Sequence, residues 1–256
     1  MTVQTILDYI WSLAPIEYKM PWDNVGLLLG RASTEVSRVL VSLDATAAVA
    51  DEAKALDCQL VVSHHPVIFR GDKHVTDLDP LTEPELRFLE NRIPVICMHT
   101  NLDCAPGGVN DVLAETLGLH NIEALASPGE PALIRCGNLE PISLPDFAAF
   151  VKSALNCTGL RYADGGRPVR KVAVGGGSCI EFAELALANG CDTFVTGDVK
   201  YHEFLDACAR GLNVVDAGHF KTEDPVCDLL AEKLRSRFPE LEVLRSAVHA
   251  DCVRFL

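Results

Sequence analysis

Residues 39–66 read VLVSLDATAAVADEAKALDCQLVVSHHP, and this stretch decides the fold class. VLVSLD (39–44) is a short apolar run of β character, and TAAVADEAKAL (46–56) is Ala-rich with helical spacing. CQLVVSHHP (58–66) is a second buried strand, stopped by Pro66. Downstream, PELRFLEN (84–91) is helical in pattern and IPVICMHTNLD (93–103) is again a strand entering a loop. GGVNDVLAETLGL (107–119) starts with glycines and continues as a helix. Strands alternating with helices of this length predict βαβ units and a mostly parallel sheet in an α/β protein.

The middle of the chain differs. Residues 126–170 are rich in proline and glycine turns around one helix, LPDFAAFVKSALN (144–156). The expectation is two lobes: a main one from 1–125 with 190–256, carrying the candidate ligands, and a smaller one from 126–189. The last third repeats the pattern of the first. VAVGGGSCIEFAELALANGCDTFVTGD (172–198) parallels residues 39–65, and RGLNVVDAGHFKTE (210–223) parallels NRIPVICMHTNLD (91–103). An internal duplication accounts for this, as does the general likeness of any two βαβ units.

Composition narrows the function. The chain has 256 residues, enough for a sizeable core. It carries 22 basic and 36 acidic residues, a net charge of −14, which repels phosphate backbones and anionic lipid and disfavours nucleic-acid binding. No stretch approaches the roughly 20 apolar residues of a membrane span. The N-terminal MTVQTILDYIWSLAP reads as an amphipathic helix, not a signal peptide, so a cytoplasmic location is expected. The ten cysteines form no C-x-x-C pair and mostly sit in apolar segments, as small buried thiols do in a reducing compartment; Cys104 stands out only because it follows Asp103.

Three polar clusters fall at predicted strand ends, where open parallel sheets bind ligands. His64-His65-Pro66 offers two adjacent imidazoles. His99-Thr-Asn-Leu-Asp103 offers a hard oxygen ligand, with His99 as ligand or support. His219-Phe-Lys-Thr-Glu223 places an imidazole and a carboxylate on one helix face. Each also has an ordinary reading: hydrogen-bonded loop histidines, a turn carboxylate before Pro106, an i,i+4 pair on a solvated helix. Together they give three His and two carboxylates with no thiolate, a set suited to Zn, Mn, Fe or Ni. With Glu223 shared, two divalent ions could be held and still keep open positions for water.

These motifs resemble the Nif-three-like family of dinuclear-metal proteins, also known as type 2 GTP cyclohydrolase I. The resemblance covers nearly the whole chain. It runs through Trp22-Asp23-Asn24-Val25-Gly26-Leu27, Ser63-His64-His65-Pro66, His99 to Asp103, Thr196-Gly197-Asp198-Val199-Lys200-Tyr201-His202, and Gly218-His219 to Glu223. It implies that His64, Asp103 and Glu223 hold one ion and His65, His219 and Glu223 the other, in a ring-shaped homohexamer. It also implies hydrolytic, cyclohydrolase-like chemistry on a small molecule; for such a reaction His99 and His202 are candidates to move protons, and Asp198 and Lys200 are either substrate contacts or a turn carboxylate and a surface lysine. No P-loop or Arg cluster for a triphosphate is present; Gly175-Gly176-Gly177-Ser178 is either a phosphate cradle or a plain turn. The rival expectation is a non-enzymatic metal-binding regulatory or partner-binding module.

Overall fold

The computed structural model describes residues 1–71 and 73–256. Two compact units emerge: Met1–Ala105 with Val226–Ala250, and Pro106–Pro225 with Asp251–Leu256.

The first unit opens with α1 (Val3–Leu13), capped by Thr2, whose side chain accepts from the Thr5 amide. Val3, Ile6, Leu7 and Ile10 form its buried stripe, the spacing of one helix face. Then come β1 (Gly26–Leu29), β2 (Arg38–Ser42), α2 (Ala47–Ala55), β3 (Leu60–Ser63), α3 (Glu83–Glu90), β4 (Val95–Cys97) and the short α4 (Thr100–Cys104).

The chain next builds the second unit. Its elements are α5 (Val109–Thr116), β5 (His120–Leu125), β6 (Ile134–Ile142), α6 (Leu144–Ala154), β7 (Arg161–Ala163) and β8 (Val169–Val174). They continue with α7 (Ala183–Ala188), β9 (Thr193–Thr196), α8 (Tyr201–Ala209), β10 (Asn213–Asp216) and α9 (His219–Glu223). Finally α10 (Pro225–Arg237) and β11 (Glu242–Arg245) complete the first unit.

The first sheet has the order β1-β4-β3-β2-β11. β4, β3, β2 and β11 run parallel, and β1 closes one edge antiparallel to β4. Residues 39–66 form the expected βαβ unit, with Val39 opposite Leu60 and Val41 opposite Val62. Apolar side chains bury both faces of β3, the reason it reads as a continuous hydrophobic run.

The second sheet has the order β5-β6-β8-β9-β10-β7. Its β8-β9-β10 centre is parallel, and antiparallel strands flank it. The fold is thus α/β with two sheets, and the order β-α-β-α-β-α that ends in α4 recurs in β8 through α9.

The division into units differs from the one expected at 125/126 and 189/190. Residues 169–216 form one hydrogen-bonded parallel unit, so β9 and β10 cannot be parted from β8. α5 also belongs here: its Leu113, Ala114 and Leu117 share a core cluster with Val169, Val172 and Val174. The Pro/Gly-rich composition of the middle marked flanking strands and turns, not a domain border.

Phe147 of α6 is fully buried in that cluster. Phe147→Ala is expected to cost about 3–5 kcal/mol of stability, read by chemical denaturation.

Candidate metal centre

In the first unit, β3 delivers His64 and His65 into a turn. Their amides both donate to the Leu43 carbonyl, at 3.1 and 2.8 Å, which fixes the backbone beyond the strand end. The ring of His64 is fully buried, and its Nδ1 lies 2.7 Å from the Met98 carbonyl oxygen. A carbonyl only accepts, so Nδ1 carries a proton and Nε2 is the nitrogen left to offer a lone pair to a cation. That Nε2 sits 3.6 Å from Asp103 Oδ1. Two ligand atoms bound tetrahedrally to one zinc-sized ion lie roughly 3.3–3.5 Å apart, so the spacing fits a shared cation.

His65 and His99 are held in the same way. His65 Nδ1 donates to Asp44 Oδ1 at 2.8 Å, and the other oxygen of Asp44 meets His249 Nε2 at 2.7 Å. Burial pushes the Asp44 carboxyl up, but the hydrogen bonds from His249 and His65 outweigh it and hold the group well below the usual carboxylate range. His99 Nδ1 donates to Asp23 Oδ1 at 2.7 Å, while the Thr100 amide and hydroxyl donate to Oδ2. Burial likewise raises Asp23, yet the bonds from His99 and Thr100 bring it down to about 2. One ligand atom each from His64, His65 and His99 lies within 4.8 Å of the other two.

In the second unit, Gly218 turns the chain into α9, which carries His219 and Glu223 one turn apart. His219 Nδ1 donates to Asp198 Oδ2 at 2.7 Å, and its Nε2 is 3.1 Å from Glu223 Oε2. Asp198 reaches this position from a left-handed backbone, φ 56°, which Asp tolerates better than most side chains. Gly177 leaves the space beside the pair. A Cβ there would stand 2.3 Å from Glu223 Oε1 and 3.0 Å from His219 Nε2.

The structure thus contains His, Asp and Glu clusters capable of binding metal. The donors are nitrogen and oxygen, the ring tautomers are set, and glycine clears the second cluster, so the residues fit a divalent cation. All five predicted ligands lie just beyond the carboxyl ends of parallel strands β3, β4 and β10, in the turns or helices that follow.

Other expectations change. His202 is exposed on α8 and joins none of the ligand-capable groups found among the described residues. Asp198 supports His219, and the Lys200 amide and ammonium both face Glu203 at the start of α8, at 2.6 and 3.4 Å. The Gly175–Ser178 loop spends its amides internally: Gly175 donates to Val195, Gly176 to Asn110 and Gly177 to Thr222. It is therefore a packed turn that makes room for Glu223 rather than a phosphate cradle. Asp44 and His249 escaped sequence reasoning, and Asp23 was noted only within the Trp22–Leu27 stretch, because each is tied to its partner across a long stretch of chain. The ten cysteines are buried, except for half-buried Cys208 and exposed Cys252.

Comparison with known proteins identifies the family and the fold. A family profile described as Duf34/NIF3 (NGG1p interacting factor 3) matches residues 1–252. A Clostridium perfringens protein named GTP cyclohydrolase 1 type 2 homolog is 32% identical over 262 aligned positions, covering 100% of both chains. Among solved structures, a Bacillus cereus protein related to NIF3 superposes with TM-score 0.93 at 26% identity, covering 100% of this chain and 99% of that one. A Staphylococcus aureus protein gives 0.90 at 28%, with the same coverage. No helix among the described residues is long and apolar enough to cross a membrane.

The depressed carboxyl of Asp23 makes stability pH-dependent. Its folded value of about 2 lies below the ordinary 3.8, so its contribution is complete above about pH 4 and lost as pH falls through about 2. Asp23→Asn is expected to remove on the order of 1–2 kcal/mol at pH 7, with a smaller difference from the parent at pH 2–3. Thermal melts across that range check it.

Proposed function

Because the chain belongs to the Duf34/NIF3 family, we propose that its two ligand sets serve one dinuclear divalent-metal centre that hydrolyses a small molecule. One ion is assigned His64, Asp103 and Glu223, and the other His65, His219 and Glu223. The observation that carries the reading is the placement of His64, whose Nδ1 lies 2.7 Å from the Met98 carbonyl oxygen and whose Nε2 lies 3.6 Å from Asp103 Oδ1. Three protein ligands per ion would leave coordination positions for water, as hydrolytic sites require and closed structural sites do not. That favours an enzyme over a purely structural or regulatory role for the ions.

When bound, two such ions lower the pKa of water and stabilise charge on attacking and leaving oxygens. The chain's own residues supply the rest. Asp44 and Asp198 orient His65 and His219 and raise their basicity as ligands. His99 is held by Asp23 close to His64 and His65, and is the ring placed to pass a proton at Nε2. Of the two candidates, His99 and His202, His99 is the one grouped with His64 and His65. The reaction is of the cyclohydrolase type carried in the relatives' name, and a ring-shaped homohexamer is part of the same proposal.

The test starts with metal analysis. The parent is expected to hold two ions per chain, and the His64→Ala/His65→Ala double variant fewer than one, with an unchanged circular dichroism spectrum. Two ions per chain in the double variant would sink the assignment. Asp44→Asn, which keeps shape but weakens the hold on His65, is expected to lower affinity for the second ion about 10–100-fold in competitive chelator titrations. Turnover is then sought among nucleotides and related heterocycles with Zn, Mn, Fe and Ni loaded in turn. No turnover with any metal would leave a metal-binding module instead.

A further inference from the structure

We propose that Trp22 and Phe69, together with His99, form a stacking subsite for a planar heteroaromatic ring, recognised by its faces and edges and not by a phosphate. This rests on the hydrolase reading and names the ligand class of that same site.

Trp22 is 61% exposed and Phe69 46% exposed, yet they touch each other edge-on with centroids 5.9 Å apart. His99 completes a triangle, 6.2 Å from Trp22 and 6.1 Å from Phe69. It is also 5.3 Å from His64 and 5.6 Å from His65. A continuous path of rings therefore runs from solvent to the candidate ligands. Tyr9 and Phe150 differ, since each meets a buried ring, Phe238 and Phe147 respectively, and so belongs to the packing of its own unit.

The backbone beneath the exposed rings is firmly held. The Met20 amide donates to Thr100 Oγ1 at 2.9 Å, and the Asp23 carboxylate takes His99 and Thr100. Asn24 Nδ2 donates to the Ile68 carbonyl at 2.6 Å, tying the turn that carries Trp22 to the loop that carries Phe69. Trp22-Asp23-Asn24 thus presents a ring, anchors His99 and couples two loops. A rigid frame that leaves its largest apolar ring in water is organised for a ligand, because little ordering remains to oppose binding.

The ligand's chemistry follows from what surrounds it. Aromatic faces bind any flat π-system. The Asp23 charge is taken up by its own hydrogen bonds, and the net charge of −14 opposes an anion. A nucleoside or a free base is therefore expected to bind at least as well as its triphosphate when no divalent ion is added.

Calorimetry with guanosine, pterin and nicotinamide, ribose as the ring-free control, and GTP tests this on the purified protein with its metal content measured. At least one ring probe is expected to bind where ribose does not. Trp22→Ala and Phe69→Ala should each weaken it roughly tenfold or more, while Trp22→Phe, which keeps a ring face, stays within about threefold. Equal binding by the alanine variants, or no ring preference over ribose, overturns the subsite. So does a parent that binds no ring while Trp22→Ala alters its sedimentation, since the rings then serve self-association. Two bound ions without ring binding would defeat this inference and leave the metal reading standing; ring binding without two ions would do the reverse.

Discussion

An imidazole whose Nδ1 donates a hydrogen bond can offer a cation only Nε2, and in this chain that commitment is made four times. The acceptors are the Met98 carbonyl for His64, Asp44 for His65, Asp23 for His99 and Asp198 for His219. Each acceptor lies in the same unit as its ring, so each cluster is oriented by its own fold. The architecture serves that purpose. β3 must stop at Ser63 for His64 and His65 to turn outward beneath the Leu43 carbonyl. α4 must begin at Thr100 for Asp23 to grip both His99 and the helix start. A ring left to rotate would lose side-chain freedom on meeting a cation, and here that freedom is already gone.

The candidate donors were legible in the sequence, because polar residues at strand ends interrupt apolar runs. SHHP closes VVS, and His99 and His219 close VICM and VVDAG. The residues that orient them were not, because Asp44 and Asp23 look like ordinary turn carboxylates and His249 lies in a short C-terminal segment without pattern. Only long-range pairing gives them meaning: 76 positions separate Asp23 from His99, and 205 separate Asp44 from His249. Asp198 shows the opposite case. It was noticed, but as a substrate contact, since a sequence cannot say which neighbour a polar tip will face.

The lobe boundaries were misplaced for a related reason. Glycine and proline mark where a strand ends, not which sheet the next strand joins. β11 is the clearest example: it returns more than a hundred residues after unit one appears finished and pairs along β2, with Val243 opposite Val39. The segment that follows delivers His249 to Asp44, so this late strand contributes to a histidine encoded far upstream. The recurrence of β-α-β-α-β-α in both units explains why a parallel core was readable in each, whereas the antiparallel strands β5, β6 and β7 left only weak alternation.

Electrostatics connects the ions to the choice of ligand. Asp103 and Glu223 are buried carboxylates, with 6% and 4% exposure, in a chain of charge −14. Burying ionised carboxylates is costly unless opposite charge meets them, and divalent cations meet it most fully. Cation binding in turn requires ionised carboxylates and neutral imidazoles, which makes affinity fall as pH drops. The Met98 carbonyl assists by keeping the proton of neutral His64 on Nδ1. The same acidity repels a bare phosphate. On the proposed reading, selectivity for an organic substrate arises from contacts that do not depend on its charge, and the exposed rings beside His99 are of that kind.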